Sequence, residues 1–170
     1  MITIRLETES DIECIREINK LAFGQPDEAK LVDKLRQSCN NILSLVAELD
    51  NKIVSHILFS PVTIDSTKGI IKGMGLGPMA TLPEYQHQGI GASLINTGLG
   101  MLTKRNCPFV VVLGHPTYYP RFGFEPASNF GIGCEWEVPD EVFMIQVFNK
   151  KLLTNIKGTA LYRSEFNELT

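Results

Sequence analysis

The sequence has no apolar run of the ~18 residues that a membrane span requires, so no membrane partner is expected. Its first residues, Met1-Ile2-Thr3-Ile4-Arg5, lack a basic-then-apolar leader. Four cysteines, Cys14, Cys39, Cys107 and Cys134, form no Cys-x-x-Cys pair. Reduced thiols and a cytoplasmic location are therefore the expectation. An excess of positive charge is missing as well. The formal charge is −3, whereas nucleic acid as a partner needs a basic surface to neutralise phosphates. What the chain does have is 44% apolar residues among 170, the composition of a globular domain with a sizeable core.

Those apolar residues are patterned. Ile2-Thr3-Ile4-Arg5-Leu6 alternates, as a half-buried strand does. Thr8 or Ser10 can cap a helix with Ile12, Ile15, Ile18 and Leu21 on one side. Gly24-Gln25-Pro26 interrupts it, and Pro26 suits the first turn of a second helix bearing Leu31, Val32 and Leu35. Strand patterns follow over 42–49, 53–62 and 70–81. Their connectors, Asp50-Asn51-Lys52 and Asp65-Ser66-Thr67-Lys68-Gly69, are short and polar, so an antiparallel meander is expected. Gly73, Gly75 and Gly77 recur at every second position of the third strand, and Pro78 cannot donate to a ladder. A bulge or an opened edge is expected there.

A helix from Gly89 to about Arg105 carries Ile90, Leu94, Ile95, Met101 and Leu102 on its buried side, with Lys104 and Arg105 at its negative end. Gly98 and Gly100 each cost it about 1 kcal/mol against alanine, so packing on a sheet must hold it. Phe109-Val110-Val111-Val112-Leu113 reads as a buried central strand, parallel to the one before the helix. Val142 to Phe148 and Gly158 to Arg163 read as further strands. The acidic stretch from Glu135 to Glu141 reads as a solvated turn.

The chemistry is concentrated between Met79 and Ala92. Met79-Ala80-Thr81 ends a strand, Pro83-Glu84-Tyr85 turns, and Gln86-His87-Gln88-Gly89-Ile90-Gly91-Ala92 opens a helix. A helix start has about four N–H groups without intrahelical partners and a partial positive charge, which suits phosphate. Glycine at 89 and 91 removes the Cβ atoms that would hold a ligand away from them. No lysine follows as in a Walker loop, and no glycine stands at 94 to complete a dinucleotide fingerprint. The unit from 70 to 114 puts this cradle at the carboxyl end of a strand, where open sheets take ligands. A dinucleotide-binding oxidoreductase, suggested by Gly73-x-Gly75-x-Gly77 and Gly89-x-Gly91, fails on spacing and on the preceding meander.

This run resembles the acyl-CoA signature of the GNAT superfamily of N-acetyltransferases, Gln/Arg-x-x-Gly-x-Gly/Ala, here Gln86-His87-Gln88-Gly89-Ile90-Gly91. A second stretch, Tyr119-Pro120-Arg121-Phe122-Gly123-Phe124, matches the family's Tyr-x-x-x-Gly-Phe. Pro120 departs from the helix-compatible residue usual there, which puts the length of that helix in question. The resemblance is clearest from about 45 to 130 and weaker over 131–170. It implies an α/β fold: one acyl-CoA N-acyltransferase domain over 1–170, with C-terminal strands in 131–170. Its mixed central sheet would have about six or seven strands flanked by helices. The fourth strand would be splayed, its open edge pairing with pantetheine.

The resemblance further implies direct transfer of an acetyl group from acetyl-CoA to a primary amine, on a small molecule or a peptide, with no metal. A homodimer is compatible with it. The Met79 N–H would polarise the thioester carbonyl, and Ala80 and Thr81 would pair with pantetheine. The N–H groups of His87, Gln88, Gly89, Gly91 and Ala92 would hold the diphosphate, with Gln86 and Ile90 also among the cofactor-binding residues. Tyr119 would hydrogen-bond or protonate the departing thiolate, a phenol near 10 beside a thiol of about 8.5. Tyr118 misses that spacing by one residue, and Phe122 and Phe124 are expected in the core. The general base is open among His56, His115 and water. Cys107 has no partner base and is expected as a buried thiol. A CoA-binding module without catalysis is the rival expectation, and the acceptor is not legible.

Overall fold

Alternation and turn chemistry set the first strands. In the computed structural model, which describes residues 1–169, β1 (Ile2–Leu6) pairs antiparallel with β2 (Leu43–Leu49), and β2 with β3 (Lys52–Ser66). Thr170, the last residue of the expected domain span, lies outside the described residues. Asp50 and Asn51 have φ of 52° and 65°, the left-handed backbone of a two-residue hairpin, and Leu49 faces Lys52 across it. Between β1 and β2 run α1 (Ile12–Phe23) and α2 (Asp27–Ser38). Thr8 precedes a 3-10 turn, Glu9–Asp11, rather than α1 itself. The Asp11 carboxylate accepts there from the Thr8 N–H at 2.7 Å and from the Arg5 guanidinium at 2.7 and 3.0 Å.

The chain folds as two compact units interleaved in sequence. The first comprises Met1–Ser60, Gly77–Gly98 and the segment from Ser164. Its α1 and α2 lay Ile15, Leu31, Val32 and Leu35 against Val46 of β2 and Leu58 of β3, and Phe166 packs on the same cluster. Each such aliphatic side chain, buried from water, contributes roughly 1.5–3 kcal/mol. α3 (Ile90–Lys104) begins in this unit and meets β3 at Gly98. A Cβ on Gly98 would fall 2.3 Å from Cε2 of the fully buried Phe59. Close approach of helix to strand thus offsets the glycine's cost. Nothing in the structure explains Gly100, which faces open space.

The second unit comprises Pro61–Leu76 and Leu99–Arg163. Here the first part of β4 (Gly69–Thr81) pairs in parallel with β5 (Phe109–Leu113) through Met74, Gly75 and Leu76, as the apolar run requires. β6 (Glu125–Pro126), β7 (Ile132–Cys134), β8 (Phe143–Val147), α4 (Lys150–Leu153) and β9 (Gly158–Leu161) follow. β8 runs antiparallel to β5 and β6, and β9 runs parallel to β7 and antiparallel to the end of β3. Phe109, Val111, Phe143, Ile145 and Ile132 form the core between them. The strands are mixed in direction, and nine occur among the described residues. The two that the pattern did not reveal, β6 and β7, have 2 and 3 residues, too few for alternation to register.

Two of the β4 glycines mark close approaches. A Cβ on Gly73 would lie 2.6 Å from the Phe109 ring, and one on Gly75 would lie 2.8 Å from the Tyr162 ring. Both positions make room for aromatic side chains. Gly77, at φ 130°, precedes a cis peptide to Pro78, and the register with β5 ends one residue before it, at Leu76.

Candidate active site

The end of β4 is fastened to β3 by one edge. The Leu82 N–H donates to the Val54 carbonyl at 2.9 Å, and the Ser55 hydroxyl donates to the Ala80 carbonyl at 2.9 Å. Ser55 Oγ also lies 2.7 Å from the Thr81 hydroxyl. Backbone groups of a strand alternate between its two edges. With residues 80 and 82 directed at β3, the N–H groups of Met79 and Thr81 are directed at the opposite edge.

Beyond β4 the chain makes one 3-10 turn, Pro83–Tyr85, in which the Tyr85 N–H bonds the Leu82 carbonyl at 2.8 Å. His87 and Gly89 then take positive φ, 63° and 82°. These two left-handed positions keep the chain out of helical geometry until α3 begins at Ile90. Ser93 donates to the Gly89 carbonyl at 3.1 Å. Among the described residues, no carbonyl accepts from the backbone N–H groups of His87 to Ala92. Residues 86–89 are exposed and Ile90 is buried, so the head of the helix is anchored beneath an exposed loop.

Gln86 is held by two bonds within the turn. Its N–H donates to the Pro83 carbonyl at 3.4 Å and its Nε2 to the Thr81 carbonyl at 3.0 Å. It braces the turn, while the residues after it offer free amides. Ile90 offers only its backbone.

His56 is sealed in the first unit, with no exposed surface. Ser44 Oγ stands 2.8 Å from its Nε2, and Asn19 Nδ2 stands 3.4 Å from its Nδ1. The Ser44 hydroxyl donates to Glu7, so it accepts from an Nε2–H imidazole whose Nδ1 accepts from Asn19. Arg36 closes the chain on Glu7 at 2.6 and 3.1 Å. Burial, with Arg36 in support and Glu7 in opposition, drives His56 down to about 4. Burial alone would raise the Glu7 carboxyl, but hydrogen bonds from Arg36 and Ser44 bring it below its ordinary value. No acceptor amine reaches such a histidine, and the general-base role considered for it falls away. Nothing in the local sequence signals this network, because its members come from four separate elements and the segment after β1.

In the second unit, Tyr119 opens a 3-10 turn, Tyr119–Phe122, that stops at Gly123 with φ 96°. Pro120 lies within it, and the helix is one turn long. The Tyr119 ring meets Tyr118 and Phe124 edge-on, with centroids 5.1 and 5.9 Å apart. Burial, with a contribution from Tyr118, pushes its phenol up to about 12. Phe124 is buried as expected, whereas Phe122 is half-buried. The His115 carbonyl accepts from Tyr118 and Tyr119, and its imidazole is exposed. Cys107 donates to the Phe109 carbonyl at 3.2 Å, and burial raises its thiol, which makes it a poor nucleophile.

Comparison with known proteins converges on one family. Residues 3–127 match the model of the acetyltransferase (GNAT) domain. The uncharacterized N-acetyltransferase YjhQ of Escherichia coli strain K12 is 42% identical over 142 residues, covering 82% of this chain and 78% of that one. The crystal structure of YhbS, a GNAT family N-acetyltransferase from Escherichia coli in complex with CoA, superposes with a TM-score of 0.91 at 31% identity, covering 99% of this chain and 93% of that one. A GNAT family acetyltransferase from Brucella melitensis, in complex with acetyl-CoA, gives 0.81 at 33% identity over 98% of both chains.

Proposed function

The chain belongs to the GNAT acetyltransferase family, and from that premise we propose that it moves an acetyl group from acetyl-CoA onto a primary amine by direct attack. One observation carries the proposal: among the described residues, the amides from His87 to Ala92, at the head of α3, have no carbonyl partners, and the loop residues 87–89 that lead into the helix are exposed. An anion with several oxygens satisfies such donors, and the helix dipole adds to the attraction. The diphosphate of coenzyme A fits them. Gly89 leaves the approach open, since a Cβ there would meet no protein atom within 4 Å. The two similar structures described above hold CoA and acetyl-CoA.

When bound, acetyl-CoA supplies the acyl thioester. The amides of His87, Gln88, Gly89, Ile90, Gly91 and Ala92 hold its diphosphate, and Gln86 keeps their loop in shape. Ala80 and Thr81 continue β4 beside the pantetheine. The Met79 N–H, directed away from β3, donates to the thioester oxygen as negative charge develops there. Tyr119 donates a hydrogen bond to the departing sulfur. A phenol at about 12 would lose about 5 kcal/mol in handing its proton fully to a thiolate of about 8.5, so its part is to stabilise the thiolate. With His56 sealed, the proton from the amine is left to His115, whose imidazole is exposed, or to water.

A thiol-release assay over a panel of primary amines tests the proposal. Tyr119→Phe is expected to lower kcat roughly 10–100-fold while leaving CoA affinity unchanged. Binding of acetyl-CoA with no thiol released by any amine would favour a binding module instead.

A further inference from the structure

From residue 73 to residue 103 the chain carries one charged side chain, and it is Glu84. The amide run that is to hold the coenzyme's phosphates therefore lies in a stretch with no cation of its own. Backbone amides and a helix dipole offer only partial charges, about half a unit in all. A phosphate monoester alone carries about −1.5 to −2. A full positive charge from elsewhere in the fold would strengthen the hold on the coenzyme's phosphates.

The β2–β3 hairpin, in the same unit, brings one. The tight turn at Asp50-Asn51 makes Lys52 the first residue of β3. The bond from Leu82 N–H to the Val54 carbonyl sets this end of β3 beside the residue that leads into the loop. Lys52 Nζ lies 5.5 Å from the centroid of the Tyr85 ring, and Tyr85 immediately precedes Gln86. Lys52 is exposed, and among the described residues it joins no ion pair. An ammonium over a ring face is held in place by the quadrupole without being neutralised, so its charge stays available to an anion.

We infer that Lys52, steadied by Tyr85, is a phosphate-binding residue for the coenzyme and supplies the full positive charge that the glycine-rich loop lacks. The inference rests on the reading that the amides of His87 to Ala92 hold coenzyme A. Lys52 contacts phosphate and takes no part in acyl transfer.

Calorimetric titration of wild type, Lys52→Gln and Lys30→Gln with CoA and with 3′-dephospho-CoA, at low and high salt, tests it. Lys30 is an exposed lysine of α2 and controls for net charge. At low salt, Lys52→Gln is expected to bind CoA roughly three- to tenfold more weakly than wild type or Lys30→Gln, the gap closing at high salt. A loss shared by both ligands assigns the ammonium to the diphosphate, and a loss confined to CoA assigns it to the 3′-phosphate. Equal low-salt affinities of wild type and Lys52→Gln overturn the inference and leave the loop's role standing. Failure of the wild type to bind CoA defeats the reading of the loop itself.

Discussion

The Tyr119 ring occupies the space that a side chain at Gly114 would need: a Cβ there would fall 2.2 Å from Tyr119 Cε2. Tyr118 and Phe124 meet the ring edge-on, so the absent Cβ helps to decide where the phenol points. Gly114→Ala is expected to shift the ring and lower kcat roughly tenfold or more, with CoA affinity retained. In a Tyr119→Phe background the same substitution should change kcat little, because the group it misplaces is gone. Full additivity of the two effects would count against the relationship.

Tyr119 also shapes the expected pH dependence. Burial and the Tyr118 phenol raise it to about 12, so it remains a hydrogen-bond donor until pH rises through that value. The pH profile of kcat should climb as the acceptor ammonium loses its proton. It should show no falling limb from Tyr119 below about pH 11. A falling limb centred near the ordinary phenol value of about 10, abolished by Tyr119→Phe, would contradict this.

Stability should respond to acid through His56. Its folded value of about 4 lies below the unfolded 6.5, so the unfolded chain takes up a proton first as pH falls. The stabilisation is fully present above pH 6.5 and is lost progressively between 6.5 and 4. Its full size is on the order of 3 kcal/mol. Glu7, also held below its ordinary value, adds a loss in the same direction. Urea unfolding across this range measures it, and a stability unchanged from pH 7 to 4 would be the contrary result.

Two glycines of α3 should respond oppositely to alanine. Gly98→Ala drives a methyl into Phe59, a rigid ring with no exposed surface, and should cost about 1–3 kcal/mol. Gly100→Ala adds a methyl in open space and should stabilise by about 1 kcal/mol. Thermal unfolding of the two variants decides it, and equal shifts would refute the assigned packing.

Much of the fold was legible because its signals are short-range. The alternation of Ile2 to Leu6, the left-handed turn at Asp50-Asn51 and the apolar run of Phe109 to Leu113 each involve neighbours in the chain, and each element formed where its pattern lay. The glycine-rich helix start was legible for the same reason, since free amides belong to any helix head. β6 and β7 were not, because pairing with distant strands creates them.

Sequence by itself determined the order of the principal elements and the position of the glycine-rich loop before α3, since these rest on backbone preferences and spacing within a few residues. Tertiary structure alone decided that His56 is enclosed by Asn19, Ser44 and Glu7, that Phe59 fills the hollow at Gly98, and that Lys52 stands over Tyr85. Those relations join residues far apart in the chain. Burial and charge depend on what the completed fold brings together, and local periodicity carries no record of that.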